Sequence, residues 1–224
     1  MARPAASTLP IFPLPQVVLF PKVSVPLHIF EPRYRQLARF ALEGDRRIGM
    51  VTVRPEHLES LAGDPPVYSV GCEGVIDQAV ELPDGRYNII LEGLTVFEIH
   101  DEIPRADDRL FRSVHAVSRP EPVDEKDLAR IRAHRPEIIE LLIDLVRRIS
   151  ADRADAIDRE RFEAIEDEIF VNAISQAVEF PVPDKQSLLE ANGVSERCDQ
   201  LLALLRFRLA EHRAGGPPGG GLIQ

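Results

Sequence analysis

The chain has 224 residues, 44% of them hydrophobic and 29% charged, with a formal net charge of −10. That length supports one or two domains with a sizeable core and no need of disulfide staples. The acidic balance speaks against general binding to nucleic acid, which rewards phosphate neutralisation by Lys and Arg.

Residues 1–8 are small and polar and read as a disordered start. The next stretch, residues 9–35, is LPIFPLPQVVLFPKVSVPLHIFEPRYR, with six prolines among apolar residues. Proline fixes φ and donates no backbone hydrogen bond, so it belongs at strand edges, in turns or in a first helical turn. The reading is two short strands, Val17–Phe20 and Val23–Ile29, followed by a helix with Pro32 at its first position. Tyr34, Leu37, Ala38, Ala41 and Leu42 recur at helical spacing, and Gly44 fits a left-handed C-terminal position. A buried strand, Ile48–Val53, precedes a loop over 54–66 with room for one helical turn. The clearest hairpin pairs Val67–Leu82 with Arg86–Gly93 across Leu82-Pro83-Asp84-Gly85, the signature of a type I turn with a bulge. Tyr87, Ile89 and Leu91 share one face. Thr95–His100 and Leu110–Val117 add two strands around a charged loop, 101–109.

At Pro120–Pro122 the apolar period changes from 2 to 3.6. Residues 124–150 read as helical, broken or restarted at Pro136. ADRADAID is a polar connector. A long amphipathic helix carries Phe162, Ile165, Ile169, Phe170, Ala173, Ile174 and Ala177, and Pro181 and Pro183 stop it. A short helix, 184–191, ends at Asn192-Gly193, and Ser195 caps a last helix rich in leucine. The Gly/Pro tail, 213–224, reads as disordered. The domain reading is therefore 9–119 for a β subdomain with one helix and 120–212 for a helical bundle.

Catalytic signatures are missing: there is no Gly-Lys of a P-loop, no H-E-x-x-H, no G-x-S-x-G and no G-x-G-x-x-G. The six histidines never fall three or four apart on a helix, so no metal site is expected, and His100 with His115 is the weak remaining pair. Cys72 and Cys198 are too far apart in sequence for a redox pair and are expected to be buried free thiols. Glu163, Glu166 and Asp167 read as a solvated helix face. No apolar run reaches the roughly 18–20 residues of a membrane span, and no signal peptide is evident, so the expectation is a cytoplasmic protein. The strand-to-helix junction His28-Ile29-Phe30-Glu31-Pro32-Arg33-Tyr34 has two readings. In one, Phe30 and Tyr34 are core, and Glu31 and Arg33 fix the helix start. In the other, the junction is the rim of a binding groove, with His28, Phe30, Glu31 and Tyr34 as its polypeptide-binding residues.

Residues 9–35 resemble the start of the substrate-binding N-terminal domain of the Lon protease family, where a similar "LPLFPLPxxVLFPxxxxPLxIFExRY" run occurs. The resemblance continues in LPDGRYNIILEGLTVFEI (82–99) and in FVNAISQAVEFPVPDKQSLLEANGVSERCDQLLALL (170–205), and it departs at VGCEGVID (70–77). It implies an α+β fold: a PUA-like pseudo-barrel of about six strands followed by an α-helical bundle. It further implies a proteolysis-related binding module; the missing P-loop and Ser–Lys dyad make the expectation one of no enzyme, and 24 Arg against 3 Lys point to a bacterial source. The three lysines, Lys22, Lys126 and Lys185, lie outside any Ser–Lys dyad motif, and no cofactor is called for. The implied partner is unfolded or extended polypeptide. The alternatives are an adaptor for one folded protein and, less favoured by the charge, an RNA-binding PUA-like protein.

Overall fold

The computed structural model describes residues 6–60, 63–149 and 158–213. The fold is α+β, a six-stranded sheet followed by helices. Two compact units divide the chain, Met1–Pro120 and Glu121–Gln224.

The first unit is built from β1 (Ser7–Leu14), β2 (Ser24–Ile29), α1 (Pro32–Glu43), β3 (Arg47–Thr52), β4 (Val70–Glu81), β5 (Tyr87–Ile103) and β6 (Arg112–Arg119), with a 3-10 turn over Pro55–Ser60. The strand order is β2-β5-β4-β3-β1-β6, and β5 also pairs with β6, which closes the sheet on itself. Leu9, Ile11, Val51, Phe97, Val114 and Ala116 form one buried cluster inside it.

The first strand lies earlier than the proline pattern suggests. Of the expected disordered start, residues 1–5 fall outside the described residues, while Ser7 and Thr8 already belong to β1. Pro10 and Pro13 are tolerated there because β1 is paired on one side at a time. Ser7–Ile11 pairs with β6 and Ile11–Leu14 pairs with β3, so each proline has an unpaired flank for its missing N–H. Val17–Phe20 is not a strand. It has no regular secondary structure, with Val18, Leu19 and Phe20 fully buried. It is held by Lys22 N–H donating to Gly93 O (2.8 Å) and Gly93 N–H donating to Val23 O (2.9 Å). A Cβ on Gly93 would stand 2.1 Å from the Phe20 carbonyl oxygen, so only glycine admits this approach.

α1 starts at Pro32 as expected, with Glu31 as its N-cap residue. Gly44 follows the helix but is not left-handed, with φ −109. The positive φ falls on Arg46 (φ 64), whose N–H donates to Ala41 O. At the hairpin, Gly85 takes φ 77, and Arg86 N–H donates to the Asp84 carboxylate (3.1 Å), which is the expected turn chemistry. β5 then runs unbroken through Gly93 to Ile103, absorbing the predicted 95–100 strand and the start of the charged loop. His100 and His115 do not meet: His115 stands opposite Asp101 and bonds its carboxylate at 3.0 Å. Cys72 and Cys198 are both buried and free.

The second unit consists of α2 (Glu125–Ile149), α3 (Arg159–Ala164), α4 (Asp167–Ala177), α5 (Val182–Glu190) and α6 (Val194–Arg213). α2 continues through Pro136, which sits on its exposed face, rather than breaking there. Ile131, Ile138, Ile139, Leu142 and Leu145 form its buried stripe. The long helix expected over 162–177 is two, interrupted at Ile165–Glu166. The cause is Arg135, whose guanidinium donates to the Phe162 and Ile165 carbonyls (2.9 Å each) and pairs with Asp167 at 2.6 Å. Asp167 is therefore an ion-pair partner of Arg132 and Arg135, not a member of a solvated face. Pro183 lies inside the first turn of α5 and so opens that helix instead of merely ending the one before. Ser195 lies inside the first turn of α6, and Glu196 accepts from Asn192 N–H (3.0 Å), tying the chain just before the helix to its first turn. Arg197, fully buried, donates to Leu188 O (2.8 Å) and Asn172 Oδ1 (2.7 Å) and pairs with Glu121 (2.6 Å). Of the predicted connector, 151–158, residues 151–157 lie outside the described residues, as does the tail beyond Arg213, and Asp158 caps α3 by accepting from Arg161 N–H.

Candidate functional site

Antiparallel register brings the outward side chains of three strands into rows. Pro26 on β2 stands beside Ile90 on β5, which stands beside Gln78 on β4; the next row is His28, Asn88 and Val80. Together they line a shallow groove of about 400 Å³. An outward sheet face is normally polar, yet this one carries Val80 at 59% exposure and ends on Phe30 at 60%. No Asp, Glu, Lys or Arg lines it, although such residues make up 29% of the chain. An uncharged apolar strip of this kind marks an interaction surface.

His28 is fixed at the groove's end. The Arg86 guanidinium can only donate, so its N–H donates a hydrogen bond to Nε2 (3.2 Å), and Nδ1–H donates to Asn88 Oδ1 (2.6 Å). The His28 ring stacks against Phe30 with centroids 6.1 Å apart.

The four junction residues of the sequence reading separate here. His28 and Phe30 lie together on the exposed strip. Phe30 is not core, because it follows β2 on the outward side of the strand's alternation, next in line after Pro26 and His28. Glu31 is held by Arg33 (2.9 Å) and shapes the helix start. Tyr34 points inward. It is 5% exposed, packs on Phe12 at 4.3 Å, and donates its hydroxyl to Pro13 O (3.0 Å). Burial pushes its phenol up to about 12, against a smaller opposing pull from Arg33 above its ring. Val80 and Ile90 were missed by sequence reasoning, yet the signal was present: if Tyr87, Ile89 and Leu91 face inward, Ile90 must face out, where an apolar residue is unexpected.

A second concavity, about 190 Å³, lies on the same unit and includes Phe40, Phe111 and Arg109. Arg109 already covers both rings, at 5.0 and 5.1 Å, and Gln36 ties its loop down through Asp108 O and Leu110 N–H. Less apolar surface is left open there than on the β2-β5-β4 face.

Among the described residues no group of three or more His, Cys, Asp or Glu is placed to hold a metal. Lys185 is buried, which lowers its ammonium pKa, and its Nζ donates to Gln176 O (2.7 Å) near the end of α4. Burial raises the Cys198 thiol to about 12, leaving it inert as a nucleophile at neutral pH. Among the described residues no helix is long and apolar enough to cross a membrane.

Comparison with known proteins gives a consistent result. The model of the ATP-dependent protease La (LON) substrate-binding domain matches residues 8–206. The Lon protease of Flavobacterium johnsoniae is 31% identical over 206 residues, covering 90% of this chain and 24% of that protein. The Lon protease of Azorhizobium caulinodans is 25% identical, covering 92% and 23%. The chain thus spans about a quarter of the length of the curated relatives it matches. In structure it is similar to a Lon N-terminal domain protein from Xanthomonas campestris (TM-score 0.58, 23% identity, 88% of this chain and 98% of that one). It is also similar to the N-terminal domain of Mycobacterium avium complex Lon protease (TM-score 0.59, 16% identity, 92% and 100%).

Proposed function

Because the chain belongs to the LON substrate-binding domain family, we propose that it is a non-catalytic polypeptide-binding module that captures unfolded or extended segments of other proteins. The observation that carries this reading is the uncharged apolar strip on the outward face of β2, β5 and β4, with Phe30 and Val80 60% and 59% exposed. A flat, shallow, apolar face suits exposed hydrophobic side chains of many sequences better than one small molecule, which calls for a deeper enclosure. The non-catalytic part of the reading rests on chemistry: no P-loop occurs in the sequence, and the buried Lys185 is already bonded to a carbonyl.

The test uses a reduced, alkylated and therefore permanently unfolded model protein, titrated onto the full chain by fluorescence anisotropy. Binding in the micromolar range is expected, with Val80→Asp weakening it at least tenfold, about 1.4 kcal/mol, at an unchanged melting temperature. Absence of binding across several unfolded proteins, together with stoichiometric capture of one folded protein from the source cell, would replace this reading by that of an adaptor.

A further inference from the structure

β2 is the outermost strand of the order β2-β5-β4-β3-β1-β6. Among the described residues it pairs with β5 alone. The direction of its main-chain groups follows from the bonds just before it. Gly93 N–H donates to Val23 O, and the register continues as Ser24↔Glu92 and Val25↔Leu91. Odd-numbered residues therefore turn their N–H and C=O toward β5, and Ser24, Pro26 and His28 turn theirs outward. Pro26 occupies the only kind of position a strand allows it, with the absent N–H on the open side.

We propose, building on the polypeptide-binding reading, that the bound segment adds to the sheet as a further strand along the outer edge of β2. The edge offers N–H groups at Ser24 and His28 and carbonyls at Ser24, Pro26 and His28. The alternate side chains of an added strand stand beside Pro26, His28 and Phe30, at the border of a groove with no charged lining. The ligand class is thus an extended segment with apolar residues at every second position and no charge at its centre. Charge selects it at the centre: a charged side chain laid over Pro26 and Ile90 loses water and meets no charged lining residue. Pro26 disfavours a second copy of this chain as the occupant. Two β2 strands pairing antiparallel about Pro26 would set two residues without N–H opposite each other and leave the middle of the ladder unmade.

The experiment titrates the full chain with a labelled, end-blocked heptapeptide of alternating valine and threonine, and with its singly backbone N-methylated versions, one per position. A methyl group blocks one N–H and leaves the side chains unchanged. The expected result is a period of two: methylation at alternate positions weakens binding about fivefold or more, the usual scale of one lost hydrogen bond, and the positions between are unaffected. Ser24→Pro, which removes one outward N–H and leaves the ladder to β5 intact, is expected to weaken the unmethylated peptide about threefold or more at an unchanged melting temperature. A flat methylation scan, in a protein that still binds the unfolded model protein, overturns strand addition and leaves the polypeptide-binding reading standing. Failure to bind the unfolded protein at all overturns both.

Discussion

Replacing Tyr34 by Phe tests the buried side of the strand-to-helix junction, and the structure sets both the size and the pH course of the effect. The Tyr34 hydroxyl donates to Pro13 O at 3.0 Å, deep in the first unit. Tyr34→Phe removes that bond and leaves a buried carbonyl short of a partner, which costs about 1–2 kcal/mol at neutral pH. The ionisation adds a second, opposite dependence. The phenol titrates at about 12 when folded, because burial disfavours the phenolate, against the ordinary 10.0 when unfolded. Its stabilising effect is complete below pH 10 and is lost as pH rises from 10 toward 12, because only the unfolded chain sheds the proton in that range. The loss is on the order of 2 kcal/mol. Tyr34→Phe has no such proton, so its deficit should shrink steadily above pH 10 and approach zero near pH 12. Urea unfolding followed by circular dichroism, at neutral pH and in steps through the alkaline range, measures the difference directly. A variant that loses stability above pH 10 in parallel with the parent protein would show that the Tyr34 proton is not held by burial and the Pro13 carbonyl.

Three further outcomes separate surface from core. Phe30→Ala should change stability by no more than about 0.5 kcal/mol, as expected for an exposed site, while weakening unfolded-protein binding by roughly 2 kcal/mol; a large drop in melting temperature would return Phe30 to the core. Gly93→Ala should unfold or severely destabilise the barrel, because its Cβ would meet the Phe20 carbonyl, and a melting temperature within a degree or so of the parent would refute that close approach. Arg197→Ala should cost about 3–5 kcal/mol by leaving the largely enclosed Glu121 carboxylate without its partner and Leu188 O and Asn172 Oδ1 without their donor. Glu121→Gln combined with Arg197→Met should recover much of that loss, and no recovery in the double variant would mean that the helix contacts, not the charge pair, carry the effect.

What the sequence made legible is what local rules govern. Pro32 at a helix start, the Asp84-Gly85 turn and the inward Tyr87–Leu91 alternation each depend on neighbours a few residues away, and each appears where expected. The misses depend on distant partners. β1 looked unlike a strand because Pro10 and Pro13 break the rule for a strand paired on both sides, and nothing local announces that its two halves pair with β6 and β3 in turn. The split at Ile165 is imposed by Arg135, about thirty residues upstream, competing for carbonyls that an uninterrupted helix would have used. The candidate face was half legible. Its strand-to-helix junction stood out, but Phe30 and Tyr34, four residues apart, go to opposite sides of the wall. The partners of His28 and Phe30 on the strip come from β4 and β5, which register alone places there.

The split pairing of β1 also bears on how the chain comes to be folded. Among the described residues Ser7–Pro10 pairs with β6 alone, the last strand of the unit, so its first residues to be synthesised must wait for its last. At roughly 5–20 residues per second, that interval is about 5–20 s, during which β1 is held at best along one flank by β3. A hydrophobic strand waiting with an open edge invites pairing with other nascent chains. Pro10 and Pro13 remove two of its donors for the whole of that time. The same two residues that disguise the strand on paper leave each of its waiting flanks one donor poorer for a wrong partner.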